Sequence, residues 1–429
     1  MSMANISIII AAYNTSAFIS DCLISIINQT YKDIEIIVVD DGSLDETPHI
    51  LRNYANQDHR IKVITHLHNK GLLAARKTGI SAASSPWSMF IDSDDSLEPT
   101  TCEHLINELE QSPVDILHFG AKVIPSSAEA QEAAAAYESF MNPYPCSLTN
   151  SEILFRAFTD NPLRYHWQMV EKLFSTALLK KCYSVIPDIY LTQSEDACTY
   201  FIVASQATTY RSIPNSSWYH YCLGRGVSLS SRPSEDKFIS NNLQHSKALK
   251  IARDGALELC SSIPKRQIIM EAYQGFEHLL AQYTFNEWKD SFDRSSRESL
   301  FPVLKQTFSD EGIAPELYRF TRDAAYSALT KLRSNPQKSI DDDLEELELL
   351  EDLLSGLNDI DNINSNKIIA SMRDLIESHL LDCIKILSSS NREIPEVMVS
   401  ERFVTINHKE EASQTNTLVN RLLKWIFRK

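Results

Sequence analysis

Three short acidic clusters hold the residues best able to do chemistry. Asp40-Asp41 follows the apolar run Ile36-Ile37-Val38-Val39, Asp92-Ser93-Asp94-Asp95 follows Met89-Phe90-Ile91, and Glu195-Asp196 precedes the apolar stretch Ala197 to Ala204. Carboxylates packed this closely repel one another unless a positive charge sits among them. A divalent cation of the Mg²⁺ or Mn²⁺ kind is the economical answer, because such ions take oxygen ligands and keep positions open for phosphate oxygens. An Asp-x-Asp at a strand end can turn one carboxylate toward the cation and another toward a ribose hydroxyl. That chemistry suits a nucleotide diphosphate. The same tetrad also reads as an acidic turn that caps a helix, and the tripeptide alone does not separate the two readings.

The elements that must position these clusters alternate. Ile6 to Ala12 is a β-branched apolar run of the kind found in buried parallel strands. Helical spacing follows over Ser20 to Gln29, then a strand over Ile34 to Val39. Asp45 to Ala55 reads as a helix with Asp45 as its cap and Pro48 in the first turn. Arg60 to Thr65 is a strand, Leu72 to Ala83 a helix and Trp87 to Ile91 a strand. Strand-helix alternation implies a largely parallel, doubly wound sheet, and ligands bind such sheets beyond the carboxyl ends of the strands. The first two acidic clusters fall there. Residues 125–147, with Pro125, Pro143 and Pro145, read as an insertion or loop. Beyond Pro233 strand signals become few and helical patterns long. The expected division is a catalytic domain at 1–235 and an all-α accessory domain at 236–429.

Composition removes several classes. The 429 residues are 43% hydrophobic and 23% charged, which supports folded cores and excludes global disorder. The formal charge is −16, so no whole-chain basic field exists for nucleic acid. Residues 341–361 hold ten carboxylates and no Lys or Arg, leaving −6 for the remainder. Leucines at 344, 347, 350, 354 and 357 make that acidic run an amphipathic helix with a solvated face over a helical core. No apolar run reaches the roughly 18–20 residues of a spanning helix. The eight cysteines show no CxxC pair and no zinc spacing, as in reduced thiols of a cytoplasmic protein.

Five linked segments carry a resemblance. Ala11-Ala12-Tyr13-Asn14, Ser25-Ile26-Ile27-Asn28-Gln29-Thr30-Tyr31, Val38-Val39-Asp40-Asp41-Gly42-Ser43, Asn69-Lys70-Gly71 with Ala75-Arg76, and Phe90-Ile91-Asp92-Ser93-Asp94-Asp95 resemble, in order and spacing, the family 2 glycosyltransferases. The resemblance is strong from residue 5 to about 120, weaker to about 231, and silent beyond 240. It implies a GT-A fold (a Rossmann-like mixed sheet), a nucleotide-sugar donor, a divalent metal (Mn²⁺ or Mg²⁺) and an inverting mechanism. Carried over residue by residue, it places Tyr13 against the nucleotide base and Asp41 as acceptor of a hydrogen bond from that base. The Ala11-Ala12 backbone would line the same pocket, where many relatives have Pro in place of Ala12. Asn69 and Arg76 would contact the nucleotide and diphosphate. Asp92, with Ser93, would face the ribose or donor sugar, Asp94 would ligate the metal, and Asp95 would position its neighbours or the acceptor.

Further along, Trp167 and Lys172-Leu173-Phe174 resemble the family's W-x-K-x-F stretch with a longer gap, and Trp167 is an acceptor-site candidate. Gln193-Ser194-Glu195-Asp196 resembles its G-E-D motif with Ser for Gly. This makes Asp196 the general base and Glu195 an acceptor ligand; both also read as carboxylates favoured at a helix N-terminus. Trp218-Tyr219-His220-Tyr221 with Gly224-Arg225-Gly226-Val227-Ser228 resembles the family's Y-x-Y-R…S-x-S segment. Cys222 stands where Arg is usual, so Arg225 takes the diphosphate role. His220 is a candidate metal ligand, as in GT-A enzymes with a late His, or a hydrogen-bonded strand residue.

The chain end, Leu418 to Lys429, is a basic amphipathic segment with Trp425. It suits an anionic membrane surface, the body of the protein or a second subunit. The expectation is therefore a cytoplasmic glycosyltransferase using a UDP-sugar and a glycan, lipid-linked or protein acceptor, with a peripheral place on the inner membrane face and homo-oligomerisation both open to it. The competing class is a catalytically silent sugar-binding or scaffold protein.

Overall fold

The computed structural model describes residues 5–159, 165–225, 232–357, 367–390 and 392–399. The basic segment from Leu418 and residues Gly226 to Ser228 lie outside the described residues. In chain order the first elements are β1 (Ile6–Ala12), α1 (Ile19–Ile27), β2 (Ile34–Asp40), α2 (Thr47–Gln57), β3 (Ile61–Thr65), α3 (Leu72–Ala82), β4 (Trp87–Asp92), β5 (Ser96–Leu97), α4 (Thr101–Gln111), β6 (Ile116–Phe119) and β7 (Ala121–Val123). There follow α5 (Ala128–Met141), β8 (Ser147–Thr149), α6 (Ser151–Phe158), β9 (Lys172–Ser175), α7 (Thr176–Tyr183), α8 (Glu195–Gln206), β10 (Thr209–Ile213) and β11 (Tyr219–Tyr221). The rest is helical: α9 (Glu235–Glu258), α10 (Ile263–Ser291), α11 (Arg294–Thr307), α12 (Asp310–Ser334), α13 (Asp341–Ser355) and α14 (Lys367–Ser389).

Eight strands form one mixed sheet in the order β3-β2-β1-β4-β9-β6-β10-β8, and β5-β11-β7 form a second. The first four strands pair in parallel, and β9 runs antiparallel between β4 and β6. This is the expected GT-A type of mixed α/β domain followed by a helical region. The sequence read β1, β2 and β4 correctly because each is a short apolar run buried on both faces. Ile6, Ile8 and Ile10 of β1 join Ile19, Cys22, Leu23 and Ile26 of α1 in the core. Ile9 faces the other way, against Gly79 of α3, where an added Cβ would lie 2.3 Å from Ile9 Cγ2. Each buried isoleucine contributes about 1.5–3 kcal/mol. The parallel strand ends are therefore held by a rigid, two-sided core.

Residues 128–141 correct one expectation. They form helix α5, not a loop, with the Ser127 hydroxyl accepting from the Ala130 N–H at 3.1 Å. The flanking prolines bound that helix without entering it. The switch to helix falls at Glu235, while the compact units divide at 287/288. In the second unit, Leu347, Leu350 and Leu354 bury the apolar stripe of α13. Its acidic face is only partly solvated: Glu346 takes a two-pronged bond from Arg297 at 2.9 and 2.7 Å, and Asp343 pairs with Lys331 at 2.6 Å. All eight cysteines are free thiols. No helix among the described residues is long and apolar enough to cross a membrane.

Candidate active site

The carboxyl ends of β1, β2 and β4 bring the first two acidic clusters to one edge of the sheet. Asp41 follows β2 and is 3% exposed. Its carboxylate accepts the Lys70 N–H at 2.9 Å and the Gly71 N–H at 2.8 Å, and lies 2.6 Å from His66 Nδ1. An ionised carboxylate only accepts, so Nδ1 carries the imidazole proton and Nε2 takes the Thr78 hydroxyl at 2.9 Å. Asp41 thus ties β2 to the start of α3, a clamp that the motif did not reveal. Gly42 makes the turn possible: its φ is +74°, and a Cβ there would meet the His68 backbone at 2.7 Å.

Beside this clamp is a cleft of about 250 Å³ lined by Ala11, Ala12, Tyr13, Asp41, Asn69 and Tyr190, among others. Tyr13 is 41% exposed, so its ring is open to a flat ligand. The Asn69 side-chain oxygen accepts the Gly71 N–H at 2.8 Å. A larger hollow of about 590 Å³ includes Asn69 and Tyr190 too and adds His68, Lys70 and Lys77. Tyr190 was not foreseen, because it lies on the irregular stretch before α8.

Arg76 is the centre of the acidic arrangement. It is 3% exposed, bonds Asp196 through Nη1, and bonds Asp92 through Nη2 at 3.1 Å. Its guanidinium also lies 5.6 Å from the Phe90 ring centroid. Although burial opposes the charge, Asp196 and Asp92 hold the guanidinium's pKa above its ordinary value. A cation reaching toward phosphate is therefore not what this geometry shows: Arg76 bridges two carboxylates. Asp92, 36% exposed at its side chain, is pushed up to about 6 by desolvation and by Asp196 and Asp94, against the opposing pull of Arg76.

The Asp92–Asp95 turn is pinned from β11. The Tyr219 hydroxyl donates to Asp95 at 2.6 Å and accepts the Asp92 N–H at 3.2 Å, while the Cys222 N–H donates to Asp95 at 2.7 Å. Asp95 is 3% exposed, and burial, with Asp92 and Asp94, pushes its carboxyl well up. It is a structural post for the turn. Ser93 is buried. Asp94 is half-buried, and burial raises its pKa. Among the described residues its carboxylate bonds no other side chain, so this one carboxylate is left open to a hard cation at the end of β4, while Asp92 is held by Arg76 and Asp95 by Tyr219 and Cys222. Arg225 donates to the Asp94 carbonyl at 3.4 Å and lies over the Phe18 ring at 5.2 Å.

Of the two readings of His220, the geometry matches the hydrogen-bonded strand residue. Strand alternation sends its side chain away from the face on which Tyr219 reaches Asp95. Its Nε2 lies 2.9 Å from a Glu98 carboxylate oxygen.

Helix α8 supplies the third cluster. Residues 197–206 are all buried, so the helix is a fixed platform. Glu195 and Asp196 occupy its first turn, where the helix dipole favours negative charge. Ser194, in the place of the family's Gly, adopts φ +57°, the left-handed conformation that glycine takes without strain. Its hydroxyl lies 2.9 Å from His245 Nδ1 of α9. Asp196 also accepts the Met169 N–H at 3.3 Å. Desolvation and Asp196 push Glu195 up to about 7, with Arg76 opposing. Trp167 packs in an aromatic cluster, its ring centroid 5.8 Å from Phe158 and 6.2 Å from Tyr283. That packing accounts for its position.

Residues 7–160 match the model of glycosyl transferase family 2, so this segment carries that family's domain, as its motifs imply. The putative glycosyltransferase EpsH of Bacillus subtilis is 48% identical over 118 residues, covering 27% of this chain and 34% of that protein. Glycosyltransferase GlyG of Streptococcus pneumoniae is 37% identical over 113 residues, covering 26% of this chain and 37% of that protein. The chain thus spans about a third of the length of these relatives. Among solved structures, S. aureus TarS 1–349 in complex with UDP-GlcNAc aligns over 71% of this chain and 88% of its own, at 18% identity and TM-score 0.44. Mannosyltransferase PcManGT from Pyrobaculum calidifontis, in complex with GDP-Man and Mn2+, aligns over 91% and 88% respectively, at 14% identity and TM-score 0.42.

Proposed function

We propose that the chain is a metal-dependent, inverting glycosyltransferase that moves a sugar from a nucleotide-sugar donor, of UDP type, to a hydroxyl of a glycan or lipid-linked acceptor. The observation that carries this is Arg76 joining Asp92, at the end of β4, to Asp196, at the start of α8. Donor-side and acceptor-side carboxylates so belong to one centre. Tyr13 stacks on the base, and the cleft bounded by Asp41 and Asn69 holds the nucleoside. A divalent cation bound through Asp94 would offset the charge that develops on the leaving diphosphate. Asp196 takes the acceptor hydroxyl proton as that oxygen forms its bond to C1 from the opposite face and the C1–phosphate oxygen bond breaks. Glu195 orients the acceptor. Arg76 aims Asp196 through the bond from Nη1, a positioning role.

Calorimetric titration of UDP-, GDP- and dTDP-sugars with Mn²⁺, with Mg²⁺ and with EDTA tests the donor half. Binding of one donor class that needs the metal and is lost in Asp94→Asn is expected. Absence of binding for every donor would move the reading to a scaffold protein.

A further inference from the structure

Outside the cleft, one more group of ligating side chains is buried together. His118 of β6, His166 and Glu171 each place a ligating atom within 4.8 Å of the others. Their exposures are 0%, 3% and 0%. Neither carboxylate oxygen of Glu171 has a hydrogen-bond partner, and neither does Nε2 of His118. A buried carboxylate left this way is costly unless something neutralises it. Lys172 offsets part of that charge and pulls the pKa of Glu171 down against burial, but it makes no hydrogen bond to the carboxylate: its ammonium donates to the Gln168 carbonyl at 2.7 Å and lies 3.5 Å from His166 Nδ1.

The His118 imidazole is set up to present a lone pair. His118 Nδ1 is 2.6 Å from the Tyr210 hydroxyl, so donation there frees Nε2. His166 Nε2 is 3.3 Å from the Met141 carbonyl and 3.9 Å from a Glu171 oxygen, while Nδ1 accepts the Gln168 N–H at 3.3 Å, so an ion bound through Nδ1 would displace that bond. A second hydrogen bond that fixes the tautomer is the usual support of a metal-ligating histidine. Two imidazoles and one carboxylate form a ligand set for Zn²⁺-like ions, unlike the oxygen-only Asp92–Asp94 end.

We propose that His118, His166 and Glu171 form a second metal site, for a borderline divalent ion of the zinc type, behind the cleft. Its ion would fix the segment on both sides of Met169, whose N–H bonds Asp196, and only this last link rests on the transferase reading. Lys172 is the competitor, since its charge opposes an ion bound through His166.

The test is zinc titration of metal-stripped full-length protein against a chromophoric chelator, with Co²⁺ absorption as a second readout. Asp94→Asn, which removes the ligand proposed in the cleft, should still bind about one Zn²⁺, with a Co²⁺ spectrum of low coordination number, and wild type at least as many. Glu171→Gln and His118→Gln should weaken binding by about 100-fold or more, and Lys172→Met should tighten it. Glu171→Gln has the shape of the protonated acid, so it keeps the test valid if His118→Gln fails to fold. Absence of a bound ion in wild type, or wild-type affinity in Glu171→Gln, overturns the proposal. The readout needs no sugar transfer, so failure here is distinct from failure of the transferase reading.

Discussion

Replacing Arg76 by Gln removes the one cation shared by Asp92 and Asp196. Breaking a buried ion pair by deleting one partner costs about 3–5 kcal/mol. Asp92 is 36% and Asp196 21% exposed at the side chain, so water shares the charge and the lower end, about 3 kcal/mol, applies. At a few degrees per kcal/mol for a domain of this size, the melting temperature should fall by roughly 6–12 °C at pH 8. The pH dependence has a definite sign. Asp92 is already raised to about 6 in the native state, and loss of Arg76 raises it further. An acid whose native pKa exceeds its unfolded value binds more protons when folded, so its stabilising contribution is present at low pH and lost as pH rises through the native pKa. The deficit of Arg76→Gln should therefore shrink toward pH 5. Adding Asp196→Asn should recover part of the loss at pH 8. Scanning fluorimetry of the single and double variants at pH 5 and pH 8 decides it. A melting temperature within about 2 °C of wild type at pH 8, or a deficit that does not change with pH, refutes the bridging role.

Asp196→Asn should lower turnover by about 10²–10⁴-fold with donor affinity kept, as seen by single-turnover kinetics beside calorimetry. Turnover of the wild type should rise with pH through about 7 as Glu195 ionises, and Glu195→Gln should flatten that limb of the profile. Tyr219→Phe should cost about 1–3 kcal/mol in urea unfolding, because Asp95 keeps only its bond from the Cys222 N–H. Gly42→Ala should cost at least about 1 kcal/mol in the same assay, from the positive φ and the contact with His68 together.

The parallel half of the sheet was legible because β1, β2 and β4 are buried on both faces and read as unbroken apolar runs. The strand-end acids followed from them. Helix α5 was misread by weighing Pro125, Pro143 and Pro145 above the helix-forming run Glu132 to Ala136, whose propensity favours a helix. Arg76 was recognised as a site residue, but its bond to Asp196 spans 120 positions, and no local signal encodes that distance. The tetrad's own support was hidden for the same reason: Tyr219 and Cys222 reach Asp95 from over 120 residues away. The two readings of His220 stay open in the sequence because a three-residue strand gives no periodicity from which to tell its inner face. His118, His166 and Glu171 come together only through the antiparallel pairing of β6 with β9, which their spacing does not announce.

Nucleotide release is the most direct measurement. The full-length protein would be incubated with UDP-, GDP- and dTDP-sugars, with Mn²⁺, Mg²⁺ or EDTA, alongside Asp94→Asn and Asp196→Asn. The account predicts slow, metal-dependent release from one donor class, abolished in Asp94→Asn and strongly reduced in Asp196→Asn. Release that survives EDTA and both substitutions would contradict a single centre built from the ends of β4 and α8.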